Sequence, residues 1–289
     1  MTRNTATFVG FGAVLLWALL ALLTVGSSPV PPFQLSAICF AIGGGFGCLL
    51  AMRRHKIKAL IWQTPWQAWM LGVLGLFGYH ALYFFALRLA PPAEAGLIAY
   101  LWPLLIVLFS GMLPGERLGI GHVVGAIMAF SGAALIIGQG ISAFDPKSAT
   151  GYGLAILCAL TWSSYSVLSR RFKALPTDTV ALFCVVAAVL SLCAHLATEE
   201  TVRISTPLQW LSVAALGAGP VGLAFFLWDV GVKHGDIQLL GVASYAAPLL
   251  STFLLVGTGF APASPLLWVA AVLITAGAGV AAYSSSRAA

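Results

Sequence analysis

Tyr100-Leu101-Trp102-Pro103-Leu104-Leu105 returns, altered, as Tyr245-Ala246-Ala247-Pro248-Leu249-Leu250. Each reads Tyr, two apolar residues, then Pro-Leu-Leu. The register is 248 − 103 = 145. The same shift carries Trp17 to Trp162, Gly96 to Gly241 and Gly132 to Gly277. One register joining four separate places indicates a unit written twice, with units at 1–144 and 145–289. Each copy sets a proline, Pro103 or Pro248, inside a long apolar run. In a water-soluble helix that is a costly break. In a membrane helix it is tolerated where the freed backbone finds a partner or lines a cavity. The carbonyls four residues back belong to Ala99 and Ser244. They are expected to wall a pathway, with kinking for packing alone as the alternative.

Composition names the solvent. The 289 residues are 60% hydrophobic and 8% charged, with a mean hydropathy of +0.99. Soluble domains carry about 25% charged residues, so lipid is the expected surroundings. The net charge of +6 does not imply nucleic acid, because the basic residues sit in short linkers. Cys39, Cys48, Cys158, Cys184 and Cys193 lie within apolar runs, form no C-x-x-C pair and read as small buried hydrophobes. No cleaved leader is expected ahead of the first run.

Ten apolar runs follow, at about 6–26, 33–52, 66–88, 93–113, 119–138, 151–171, 178–197, 207–232, 237–259 and 264–284. Each is near the ~20 residues that a spanning helix needs. Linkers such as Ala90-Pro91-Pro92, Asp145-Pro146-Lys147 and Ala263-Ser264-Pro265 carry turn residues. No run alternates as a lipid-facing barrel strand must. With the N-terminus cytoplasmic, Arg3, Arg53, Arg54, Lys56, Lys58, Arg117, Arg170, Arg171, Lys173, Lys233 and Arg287 fall inside. Only Arg88, Lys147 and Arg203 fall outside. That bias places both termini in the cytoplasm. The fold class is therefore an all-α integral membrane protein of ten transmembrane helices. Five helices per unit is an odd number, so the second unit enters from the opposite face and the two are inverted repeats. Gly121, Gly125, Gly132, Gly277 and Gly279 suit close helix approach, within the chain or between chains. Nothing in the sequence sets an oligomeric state, and a monomer is the simplest reading.

The residues able to carry chemistry are mostly rings. Tyr79, His80 and Tyr83 share one face of the third helix, and a face with two hydroxyls and an imidazole should turn inward. Tyr100 and Trp102 sit two apart on the fourth helix and face one cavity only if Pro103 distorts the turn. Trp17 and its mate Trp162 lie about mid-span, away from the depth at which tryptophans anchor helices. Tyr165 and Ser166 follow Trp162 on its face, and Phe225 and Trp228 share a face of the eighth helix. Converging, these rings would form a pocket suited to an aromatic or bulky apolar guest, with aromatic core packing as the alternative. For a zwitterionic amino acid, the proline-freed carbonyls and Ser244, beside Tyr245, would accept from the ammonium group, while His80 or a phenol would meet the carboxylate. Asp229 is the acid placed well inside a span, a candidate to carry a proton or meet the substrate amine. Lys233 is four residues on, so a structural ion pair is the competing reading. Glu94 stands near the start of the fourth helix, where an acid complements the dipole.

An enzyme fares badly. There is no His-Glu-x-x-His, no intramembrane Ser-His-Asp grouping and no P-loop, and the histidines His55, His80, His122, His195 and His234 are scattered. No catalytic residue, metal or cofactor is called for.

The helix with a mid-span proline, then Gly115-Glu116-Arg117-Leu118, then a glycine-spaced helix through Gly125 and Gly132, resembles the EamA repeat of the drug/metabolite transporter superfamily. The second copy departs from it, with Ala261 at the position of Glu116. The resemblance covers nearly the whole chain. The aromatic faces are similar to those of aromatic amino acid exporters in that superfamily. The resemblance implies export of aromatic and other large apolar amino acids across a bacterial inner membrane, by alternating access through a cavity between the halves. Exporters of other metabolites or of apolar cations belong to the same superfamily, and a non-transporting membrane scaffold is a further alternative. Small multidrug antiporters there use a glutamate in the first helix, and this chain has no acid in its own.

Overall fold

The computed structural model describes residues 1–54, 57–139, 141, 144–262 and 264–288. His55, Lys56 and Ala263, which entered the reading of histidines, charge and linkers, lie outside the described residues. Among the described residues there is no strand. Among the described residues ten helical spans are long and apolar enough to cross a membrane. In chain order they are Arg3–Ser27, Pro32–Arg53, Trp66–Leu89, Pro92–Ser110, Ile120–Ile137, Pro146–Phe172, Thr179–Thr198, Pro207–His234, Ile237–Gly257 and Leu266–Ser286. They are numbered spans 1 to 10 below. Their large apolar side chains reach outward as often as inward: Phe46, Leu196, Trp268 and Val272 are all exposed. That is the arrangement for a chain whose solvent is hydrocarbon.

Proline and glycine decide where the spans deform. Pro103 has no N–H to continue a helix. Span 4 divides there into Pro92–Ala99 and Trp102–Ser110. Span 9 divides likewise into Ile237–Ala243 and Ala246–Gly257. Ser244 is not left with a free carbonyl, because the break tightens and Ala247 N–H donates to it at 3.1 Å. Spans 3 and 8 each contain a π-helical turn, Leu74–Gly78 and Gly219–Leu223. Both are glycine-rich, and 219 − 74 = 145. The helices after them, Tyr79–Leu89 and Ala224–His234, begin and end at the same shift.

Packing follows the same correspondence. Span 1 lies on span 8 and span 6 on span 3, while span 2 lies on span 7 and span 5 on span 10. Advancing each number by five exchanges the first two contacts and returns the last two to themselves. The glycine seam runs within the chain. A Cβ on Gly125 would lie 2.5 Å from the Gly277 carbonyl oxygen, and one on Gly277 equally close to that of Gly125. Only residues without side chains allow backbones this near.

Polar links at the span ends sort into two faces. At the face of the termini, Arg3 meets Glu116 at 3.1 Å and Asp236 at 3.4 Å. Arg170 also pairs with Glu116, and donates to the Gly235 carbonyl at 2.5 Å. At the opposite face the Glu199 carboxylate accepts the N–H groups of Phe33 (3.0 Å) and Gln34 (3.1 Å), capping span 2. It also pairs with Arg88 at 3.2 Å and His195 at 3.0 Å. Tyr152 donates its hydroxyl to Glu94 there. Glu94 thus has a hydrogen-bond partner as well as the helix dipole that its position suggested.

Candidate functional site

Five spans send rings to one place. Trp17 of span 1 lies 5.7 Å from Trp162, 6.0 Å from Trp102, 5.0 Å from Trp228 and 6.4 Å from Phe225, centroid to centroid. Trp102 and Trp162 meet edge to face at 6.2 Å. Tyr79 packs on Trp162 at 5.3 Å, and Tyr165 on the same indole at 5.2 Å. Tyr79 and Tyr83 stack nearly parallel, 6.3 Å apart. Tyr100 joins through Trp102 at 6.3 Å, because the break at Tyr100–Leu101 turns both rings to one side. An unbroken helix would have set them about 200° apart.

The deformed backbone holds these rings by their polar tips. A π turn misaligns the helical ladder and leaves carbonyls for other donors. Trp17 Nε1–H donates to the Pro220 carbonyl at 3.1 Å, inside the second π turn. His80 Nδ1–H donates to the Leu76 carbonyl at 2.7 Å, inside the first. The imidazole is walled by Phe40 at 5.2 Å, Phe84 at 6.0 Å and Phe225 at 6.3 Å. Trp228 Nε1–H donates to Ser166 Oγ at 3.0 Å. The cluster is unevenly buried. Trp102, Trp162, Tyr165, Phe225 and Trp228 are buried, whereas Trp17, Tyr79, His80, Tyr83 and Tyr100 keep surface although they stand mid-span.

Ser244 and Tyr245 stand apart from the ring cluster, and Asp229 lies at its edge beside Tyr165. Ser244 is fully buried, and its hydroxyl donates to the Leu240 carbonyl at 2.7 Å. Tyr245 is also fully buried, beside Phe130, and its hydroxyl accepts the Leu104 N–H at 3.1 Å. Asp229 pairs with Lys233 at 2.9 Å and accepts from Thr177 at 2.7 Å, so its charge is spent within the protein. Phe40, Phe84 and the π turns were not legible as parts of the site. Phe40 and Phe84 carry no pattern separating them from the other phenylalanines, although the paired glycines at 75 and 78 and at 219 and 222 do hint at irregular backbone.

Corresponding residues of the two copies differ in state. Gly241 packs against span 4, where a Cβ would lie 3.1 Å from the Pro103 oxygen and 2.9 Å from Val107 Cγ2. At Gly96 the nearest atoms to such a Cβ are Ile137 Cγ2 at 3.7 Å and the Tyr83 hydroxyl at 3.8 Å. Tyr245 is locked, while Tyr100 is partly exposed. Ile237–Ala243 packs on Trp102–Ser110, whereas Ala246–Gly257 and Pro92–Ala99 have no comparable contact. Spans 4 and 9 are therefore joined at the face of the termini and separated at the other. Among the described residues no cluster of His, Cys, Asp and Glu could hold a metal ion.

The profile of the EamA-like transporter family matches residues 4–138 and again 149–283. The aromatic amino acid exporter YddG of Ancylobacter novellus is 52% identical over 289 residues, covering 99% of this chain and 100% of its own. The protein of the same name from Escherichia coli is 26% identical, covering 96% of each chain. A crystal structure superposes with a TM-score of 0.92 at 52% identity, covering 97% of this chain and 98% of that one.

Proposed function

The chain belongs to the EamA-like transporter family, and from that premise we propose that it exports aromatic and other large apolar amino acids from the cytoplasm by alternating access. Membership and the ten apolar spans make it a multi-pass membrane transporter rather than an enzyme. The observation that carries the substrate reading is the ring cluster drawn from spans 1, 3, 4, 6 and 8, with one accessible side. A face made of Trp17, Tyr79, Tyr83 and Tyr100 takes a flat ring by stacking and edge contacts, each worth about 0.5–1.5 kcal/mol beyond area burial. His80 and the phenols supply polar tips. The names of the YddG relatives point the same way.

In this reading the units 1–144 and 145–289 are inverted repeats, and the matched π turns and broken spans support that division. The face of the termini is cytoplasmic, as the distribution of Lys and Arg favours, and the bilayer is a bacterial inner membrane. Closure between spans 4 and 9 at that face supports an outward-open present state. Pro103 and Pro248 are the breaks about which the half-spans tilt.

Reconstituted in liposomes, the protein should move tryptophan and phenylalanine. The combined Trp17→Ala, Tyr83→Ala and Trp162→Ala variant should lower that flux by roughly tenfold or more, three ring contacts being removed. Undiminished flux in a folded triple variant sinks the site. A substrate panel separates amino acids from other metabolites and apolar cations, and wild-type protein with no flux at all would leave a scaffold.

A further inference from the structure

The ring cluster offers a zwitterion no formal charge. Asp229 and Lys233 neutralise each other beside it, and stripping water from an unpaired ammonium or carboxylate is expensive. Charge able to receive such a head group lies instead at the face of the termini. A recess of about 320 Å³ opens there, lined by Arg3, Gly115, Glu116, Arg117, Gln238 and Ser285. That volume falls among those of small-molecule sites, roughly 300–1,000 Å³.

We propose that this recess is a capture site for the head group of an α-amino acid, occupied before the side chain reaches the rings. The inference rests on the export reading above. Glu116 is an acceptor for the ammonium group. It already holds two guanidiniums, of which Arg3 is the more exposed, with 47% of its side chain accessible against 15% for Arg170. Arg117 is a donor for the carboxylate, being exposed and paired with no acid among the described residues. Its main chain is held by Gln238 Nε2, which donates to the Arg117 carbonyl at 3.3 Å. Ser285 is a second donor. His122 Nδ1 accepts the Gly119 N–H at 3.1 Å, so the proton of a neutral ring sits on Nε2. Nε2–H then donates to Ser285 Oγ at 3.1 Å, leaving the serine hydrogen free. Two donors and one acid around a small recess match a zwitterion better than a simple cation or anion.

The residues that line the recess have no counterparts of like chemistry in the other half. At the 145-residue shift, Arg3 corresponds to Ser148, Glu116 to Ala261, Arg117 to Pro262 and Gln238 to Ala93. Capture is thereby one-sided, on the side from which an exporter loads. An ammonium that takes the place of Arg3 on Glu116 also releases span 1 from the linker between spans 4 and 5, at the end where spans 4 and 9 are joined.

The test uses everted and right-side-out membrane vesicles carrying the full chain, with radiolabelled tryptophan. Arg117→Gln disturbs no side-chain contact described, and Ser285→Ala removes the acceptor of His122 Nε2–H as well as the proposed donor, so a thermal midpoint accompanies each variant. Each should raise the half-saturating tryptophan concentration about tenfold for loading at the face of the termini, the worth of one charge-assisted hydrogen bond. Loading at the opposite face and the maximal rate should not change. Competition by tryptamine, which lacks the carboxylate, should be indifferent to Arg117→Gln. Wild-type flux with unchanged half-saturation in both variants overturns the capture site while leaving export intact. Equal shifts at both faces overturn it too. Absence of wild-type flux instead overturns the export reading on which it rests.

Discussion

Gly96 and Gly241 occupy the same place in the two copies, 241 − 96 = 145, yet they stand in opposite states. A methyl group at Gly241 would meet Val107 Cγ2 at 2.9 Å, the Pro103 oxygen at 3.1 Å and Ile106 Cγ2 at 3.3 Å. One at Gly96 would meet ordinary van der Waals neighbours at 3.7 and 3.8 Å. Gly241→Ala therefore penalises the present state by about 1–3 kcal/mol, the usual cost of an added methylene in a packed junction. If that junction opens in the alternate state, the penalty vanishes there. With 1.4 kcal/mol to a factor of ten, the ratio of the two states moves by roughly five- to hundred-and-fifty-fold. If the copies exchange roles, Gly96→Ala carries its penalty in the other state, where Gly96 would close on Pro248, and so favours the present one. The gain in helix propensity on replacing glycine, about 1 kcal/mol, is common to both variants and does not bias them apart. Spin labels on spans 4 and 9 at each face, on a background free of the five native cysteines, report the distances in lipid nanodiscs. Gly241→Ala should lengthen the distance at the face of the termini and shorten the opposite one, and Gly96→Ala should deepen the present distribution. Two folded variants that shift alike, or not at all, refute the exchange of roles between the copies.

Asp229→Ala leaves Lys233 buried without a counter-charge, with only the Leu175 carbonyl to accept from it, and should cost about 3–5 kcal/mol of stability, seen as a lower thermal midpoint, with Asp229→Asn plus Lys233→Met recovering much of it. In that recovered protein, loss of the accumulation that a pH gradient drives in the native chain would assign proton coupling to Asp229, unchanged accumulation would place the coupling elsewhere, and a native chain that only equilibrates substrate is a uniporter. Gly277→Leu sets a side chain where a Cβ is already 2.5 Å from the Gly125 carbonyl, and should split spans 5 and 10, with aggregation on size-exclusion chromatography. A monodisperse, active Gly277→Leu protein would contradict the seam. Glu199→Ala strips the cap from span 2 and should cost about 1–3 kcal/mol, read as thermal midpoint, while tryptophan affinity stays unchanged. A change in affinity without loss of stability would contradict its role as a cap.

Much of the site was legible because it is written in local spacing. Tyr79, His80 and Tyr83 share a face by helical geometry, and Trp17 and Trp162 are marked by the repeat register. Asp229 and Lys233 had to meet if both stayed inside, being one turn apart. The proline showed where span 4 must break, and the break brought Tyr100 and Trp102 together. The same reasoning failed for Ser244, whose carbonyl is taken by a tightened turn and whose hydroxyl bonds its own helix. It missed Glu199, which caps a helix through the N–H of Phe33, 166 residues earlier in the chain. It also missed the ion group of Arg3, Glu116, Arg170 and Asp236, drawn from four separate span ends.

The sequence by itself determined ten apolar spans, two copies in one register, the points at which spans break and the faces that carry rings. Those follow from composition, periodicity and the missing N–H of proline, all properties of a few consecutive residues. Only the tertiary structure decided which glycines form the internal seam, which charges meet at each face and which copy is locked. A near-repeated pattern does not say which half holds the packed arrangement. Packing spans 4 and 9 together at one face draws them apart at the other, so Tyr245 is buried while Tyr100 stays open.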